Sequence, residues 1–140
     1  MKSALHTELQ NKAQQYLLDK SYWITNVEMN IDYARICDVW GMKSDYDTCG
    51  IEVKISRADF KNNKYKEFST EYNPMANRHY ILCPAGLIQS DEVHPKWGLL
   101  WWNGKRIINK KQAIYIKMRD RKKLSVLLHL LCSKANKLTP

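Results

Sequence analysis

Nowhere in the 140 residues do two cysteines stand in a C-x-x-C spacing; Cys37, Cys49, Cys83 and Cys132 are scattered. That excludes a zinc-ribbon ligand set and a compact disulfide framework, so the thiols read as free groups in a reducing compartment. His6, His79, His94 and His129 are equally dispersed, without metal-ligand spacing. No apolar run approaches the length of a membrane span. The opening MKSALHTELQNKAQQYLL is too polar for the apolar core of a signal peptide, and the chain reads as cytoplasmic. Internal repeats, low-complexity tracts and linkers are lacking, so the expectation is one domain over residues 1–140.

Acidic residues are scarce in one region only. Residues 105–140 hold 11 Lys/Arg and a single acid, Asp120, whereas residues 1–104 hold 12 Lys/Arg and 13 Asp/Glu. The whole net charge of +9 therefore sits in the last quarter of the chain. A concentrated basic segment points to a polyanion partner, DNA first. A solvated helix face or an acidic protein partner stays open beside it. The candidate phosphate contacts are Lys110, Lys111, Arg119, Arg121, Lys122 and Lys123, within a segment 105–123.

What is present is an alternation of helical and strand periods. Leu5, Leu9, Ala13, Tyr16 and Leu17 predict an amphipathic helix over 3–20. YWITNVEM and YARICDVW predict two strands about a turn at 30–32, and Gly41 to Gly50 reads as a polar loop. IEVKI is the third strand. Ser56 then opens SRAD, a capping-box-like start to a helix running to about residue 71. RHYILCP, WGLLWW and RII are further strands, and Leu124, Leu127, Leu128 and Leu131 mark a final amphipathic helix from near Asp120. Trp97, Trp101 and Trp102 read as strand core, with stacking on unpaired bases as the other reading. The order is αβββαβ, then a β-hairpin and a helix: a mixed α/β domain, its sheet covered by helices.

The chemistry-bearing residues fall on the second and third strands. A short loop makes these strands antiparallel neighbours, bringing Asp38 towards Glu52 and Lys54. Glu52 and Lys54, two residues apart, share a strand face. Two adjacent carboxylates repel unless a cation stands between them, and Mg²⁺ or Mn²⁺ suits oxygen ligands. Such an ion lowers the pKa of a bound water and neutralises a phosphate oxygen, and a neighbouring ammonium stabilises charge growing on phosphorus. A solvated cross-strand Glu–Lys ion pair would use the same residues without chemistry, and both readings stand on the residues alone.

Asp38, then Glu52-Val53-Lys54 after 13 residues, on an αβββαβ frame, resembles the PD-(D/E)XK nuclease superfamily. EVKISRADFKNNKY, Tyr72, ANRHYILCPAGLI and EVHPKWGLL resemble its MmcB-like branch of DNA-repair nucleases, over roughly residues 34–100. The chain departs from that branch at Asn62-Asn63-Lys64-Tyr65, where an acid often precedes the lysine, and at Cys37, where a proline often precedes the first acid. The resemblance implies a restriction-endonuclease-like αβββαβ core and a metal-dependent DNA endonuclease acting in repair or mobile-element processing. It implies Asp38, Glu52 and the Val53 carbonyl as ligands of Mg²⁺ or Mn²⁺, and Lys54 as the catalytic lysine. Glu8 would be the added first-helix acid, and Lys64 would contact phosphate. A non-catalytic nucleic-acid-binding module on the same fold is the alternative, and oligomeric state is left open, a homodimer included.

Overall fold

The computed structural model describes residues 3–32, 35–62 and 74–138. Helix α1 (Ala4–Asp19) starts at Ser3, whose hydroxyl accepts the His6 N–H at 3.1 Å and so satisfies one of the first turn's orphan donors. Strands β1 (Ile24–Asp32), β2 (Arg35–Met42) and β3 (Thr48–Val53) follow, then the short helix α2 (Arg57–Lys61). Strand β4 (Arg78–Pro84), a 3₁₀ turn (Ser90–Glu92), β5 (Gly98–Trp102), β6 (Ile107–Lys111) and helix α3 (Asp120–Leu138) complete the order. β1 runs through the turn expected at 30–32, and β3 starts at Thr48 inside the expected loop.

All six strands join one sheet in sequence order. β1, β2 and β3 are antiparallel neighbours, β3, β4 and β5 are parallel, and β6 returns antiparallel to β5. Parallel neighbours need crossovers, which is why α2 follows β3 and the 3₁₀ turn precedes β5. The protein is thus a mixed α/β fold with a six-stranded mixed sheet flanked by helices.

Leu9, Ala13 and Leu17 of α1 pack on Val39, Ile51, Val53, Leu82 and Leu100, covering one sheet face. The other face buries Ile81, Cys83, Trp97 and Leu99 in one cluster, and Met29, Trp40, Met75, Met118 and Val126 in another, under α3. The stripe expected to seat α3 is turned the other way. Leu124, Leu128 and Leu131 are exposed, and the helix docks through Val126 with Leu127 half-buried. Trp97 is core, stacked on His79 at 5.1 Å. Among the described residues no helix is long and apolar enough to cross a membrane.

Asn77 ties the segment between β6 and α3 to the start of β3. Its Oδ1 accepts the Thr48 N–H and hydroxyl, both at 3.0 Å, and its Nδ2 donates to the Ile116 carbonyl at 3.0 Å. The helix that SRAD predicts begins as expected: the Ser56 hydroxyl accepts the Asp59 N–H at 3.1 Å, with Asp59 in the first turn. Tyr65, Phe68 and Tyr72, expected on its apolar face, lie outside the described residues.

Candidate active site at the parting of β2 and β3

The β2–β3 ladder runs from Met42↔Thr48 to Val39↔Ile51. Two residues further, the same register would pair Cys37 with Val53 and hand the Val53 N–H to the Cys37 carbonyl. Instead that N–H donates to Asp38 Oδ2 at 2.8 Å. The carboxylate of Asp38 thereby takes the place of a ladder acceptor at the point where the strands part. The Val53 carbonyl faces the same side, because N–H and C=O of one strand residue point together. On its other side β3 stays anchored to β4, the Lys54 N–H donating to the Leu82 carbonyl at 2.9 Å.

Helix α1 fixes Asp38 from above. Gln10 Nε2 donates to the Asp38 carbonyl at 2.9 Å, and His6 Nε2 stands 3.7 Å from Asp38 Oδ2. His6 and Gln10 are four apart and so share one helix face. Glu8, the acid expected from this helix, is exposed on a different face. The signal for His6 and Gln10 was their i, i+4 spacing beside Ala13 and Leu17, which continue the same face into the core.

Glu52 lies one residue before Val53 and is buried, with 2% exposure. Burial pushes the neighbouring Cys37 thiol well up, and the Glu52 and Asp38 carboxylates push it further. Val53, whose N–H Asp38 accepts, is the residue between Glu52 and Lys54. Lys54 is 7% exposed, against the solvated face that alternation suggests, and its Nζ stands 3.8 Å from Asp59 Oδ1 in the first turn of α2. Asp38, Glu52, Val53 and Lys54 are thus gathered where β2 and β3 part.

The basic residues are not gathered there. Lys110 is exposed on β6 with its ammonium 4.6 Å from the Trp101 ring centre. Lys111 is half-buried, and its Nζ donates to the His94 carbonyl at 3.0 Å, so it holds the loop before β5. Arg119 and Arg121 are exposed around the start of α3, where Lys122 and Lys123 are half-buried. Lys64 lies outside the described residues.

Among the described residues, no three His, Cys, Asp or Glu side chains form a cation-holding group. The oxygen donors of the kind a hard divalent ion takes are the Asp38 and Glu52 carboxylates and the Val53 carbonyl.

Fold and site define a mixed α/β protein in which Asp38 of β2 meets the β3 backbone at Val53, between the buried Glu52 and Lys54. No family model matches the chain, and no curated protein matches it significantly. Among solved structures it is similar to the SPO1766 protein of unknown function from Silicibacter pomeroyi. The TM-score is 0.82 at 17% identity, covering 99% of this chain and 91% of that one. At that identity the likeness is one of fold.

Proposed function

We propose that the protein is a divalent-metal-dependent nuclease of the PD-(D/E)XK type that hydrolyses DNA phosphodiester bonds. The observation that carries the reading is the bond from the Val53 N–H to Asp38 Oδ2 at 2.8 Å, which brings that carboxylate to the backbone between the buried Glu52 and Lys54. The αβββαβ order of the first elements fits the same reading. Asp38, Glu52 and the Val53 carbonyl would hold Mg²⁺ or Mn²⁺, which supplies a water of lowered pKa and neutralises a phosphate oxygen. Lys54 would donate to the phosphoryl oxygen that gains charge, once its ammonium leaves Asp59. Gln10 and His6 keep the Asp38 backbone and carboxylate in place.

The test is a cleavage panel with Mg²⁺ and with Mn²⁺ on linear and circular duplex, single strand, flap, mismatched and base-damaged DNA. Cleavage of one structure, lost in Asp38→Asn together with divalent-ion binding measured by calorimetry, supports the reading. No cleavage of any substrate with either ion overturns it. The burial of Glu52 and Lys54 favours a second reading, a non-catalytic nucleic-acid-binding module, which predicts DNA binding without cleavage.

A further inference from the structure

Two clefts, of about 360 and 370 Å³, lie along the flank of α1 and share Tyr16 and Lys20. One continues to Lys12, Trp102, Lys105 and Arg106 at the β5–β6 turn. The other continues to Tyr22, Lys43 and Arg78 at the opposite end of the sheet. Together their walls carry six cations, Lys12, Lys20, Lys43, Arg78, Lys105 and Arg106, against two acids, Asp19 and Asp47. Both acids have internal partners: Asp19 accepts from Gln15 Nε2 at 2.9 Å, and Asp47 stands 3.8 Å from Arg78.

Three of the cations stand over aromatic rings. Lys12 Nζ lies 5.2 Å from the Trp102 ring centre, Lys20 Nζ 5.4 Å from Tyr16 and Lys43 Nζ 4.9 Å from Tyr22. Each of these rings thus has an ammonium over its face. Tyr22 is buried, so the half-buried Tyr16 and Trp102 are the rings on which a base can stack while the ammonium moves to the phosphate beside it, which matches an unpaired polynucleotide. A duplex keeps its base faces to itself and would use only the charges. The Trp102 end of β5 and the Val53 end of β3 belong to the same end of the parallel strands, and α1 carries both the track and the Asp38 contacts.

We propose that this flank of α1 is a binding track for single-stranded nucleic acid, running from Lys43 and Arg78 to Trp102, Lys105 and Arg106. It extends the nuclease reading by naming the form of the partner, and it needs no cleavage. The experiment is fluorescence anisotropy with a labelled oligothymidylate of about 15 nucleotides, in EDTA, against a duplex of the same length. Replacing the exposed Lys20, Lys105 and Arg106 together by Ala should weaken single-strand binding at least ten-fold and flatten its log–log salt slope by about two. Trp102→Leu should weaken single-strand binding on the order of ten-fold and leave duplex binding unchanged. Unchanged oligothymidylate binding in the triple variant overturns the track, as does an equal loss on duplex in Trp102→Leu. Binding that obeys these rules in a protein that cleaves nothing would sink the nuclease reading alone. Cleavage with variant-insensitive binding would sink the track alone.

Discussion

Replacing Lys54 by Met separates chemistry from stability at one atom. The Lys54–Asp59 pair at 3.8 Å has a gross attraction of about 4 kcal/mol at an effective dielectric of about 20. Asp59 is 40% exposed, so water screens much of it, and such pairs return about 1 kcal/mol or less. Lys54 also gives up hydration to stand 9% exposed at its side chain, a cost that a methionine of similar length avoids. The net stability change expected is within about 1 kcal/mol of zero. Loss of an ammonium that stabilises the transition state should instead cost at least about 2.7 kcal/mol, or two powers of ten in rate. Urea unfolding reads the first quantity, and single-turnover cleavage of the best substrate in the panel reads the second. Full cleavage by Lys54→Met would refute the catalytic role. A stability loss above about 3 kcal/mol would show instead that the lysine is a buried structural partner.

Four further outcomes follow from the packing. Asn77→Ala removes the acceptor for two Thr48 donors and the donor to Ile116, and should cost about 3 kcal/mol or more in denaturant unfolding; a loss below 1 would contradict the network. Ellman's reagent should find one fast thiol, the exposed Cys132, and reach Cys37, Cys49 and Cys83 only on unfolding, since burial pushes Cys49 to about 12 and Cys83 to about 11. Arg57 holds the Glu92 carboxyl down to about 2 from an ordinary 4.5, so their bridge contributes above pH 4.5 and fades as pH falls through 2. Glu92→Gln should therefore lower the melting temperature at neutral pH and converge with wild type near pH 2, and a gap independent of pH would rule the bridge out. Glu28 has φ of 52°, so Glu28→Val should be less stable than Glu28→Asn by about 1 kcal/mol or more, both variants lacking the carboxylate; equal stabilities would mean the strand relaxes there.

The parts legible in the sequence were those set by near neighbours. Alternation in IEVKI marked the end of β3, SRAD marked the start of α2, and a short loop made β2 and β3 antiparallel neighbours. What could not be read was anything fixed by a third element. The polar positions of IEVKI suggested water, yet Glu52 and, just past the end of β3, Lys54 are buried. His6 and Gln10 meet Asp38 across 28 or more residues of chain, a contact that no local pattern records. The leucines of α3 looked like a core stripe, but the face that finds the sheet is the one bearing Val126. Periodicity gives a helix an apolar face without saying what will cover it.

The position of Asp38 has a backbone cause. Val27 and its partner Val39 pack on the α1 side, while Met29 and its partner Cys37, two residues along in each strand, pack on the opposite side. Residues two apart in a strand should share a face, so the pleat of both strands inverts between these pairs. The intervening residues are Glu28, in the left-handed region, and Asp38. A left-handed conformation costs a non-glycine residue about 1–2 kcal/mol, and here it is retained in the middle of the edge strand β1. The inversion turns the Cys37 side chain to the face opposite α1, and the Val53 N–H donates to Asp38 Oδ2 in place of a ladder carbonyl. The left-handed residue of β1 thus lies level with the place where a carboxylate of β2 meets the backbone of β3. An unbroken ladder would have put the Cys37 carbonyl in that place and left Asp38 as one more residue on the sheet face.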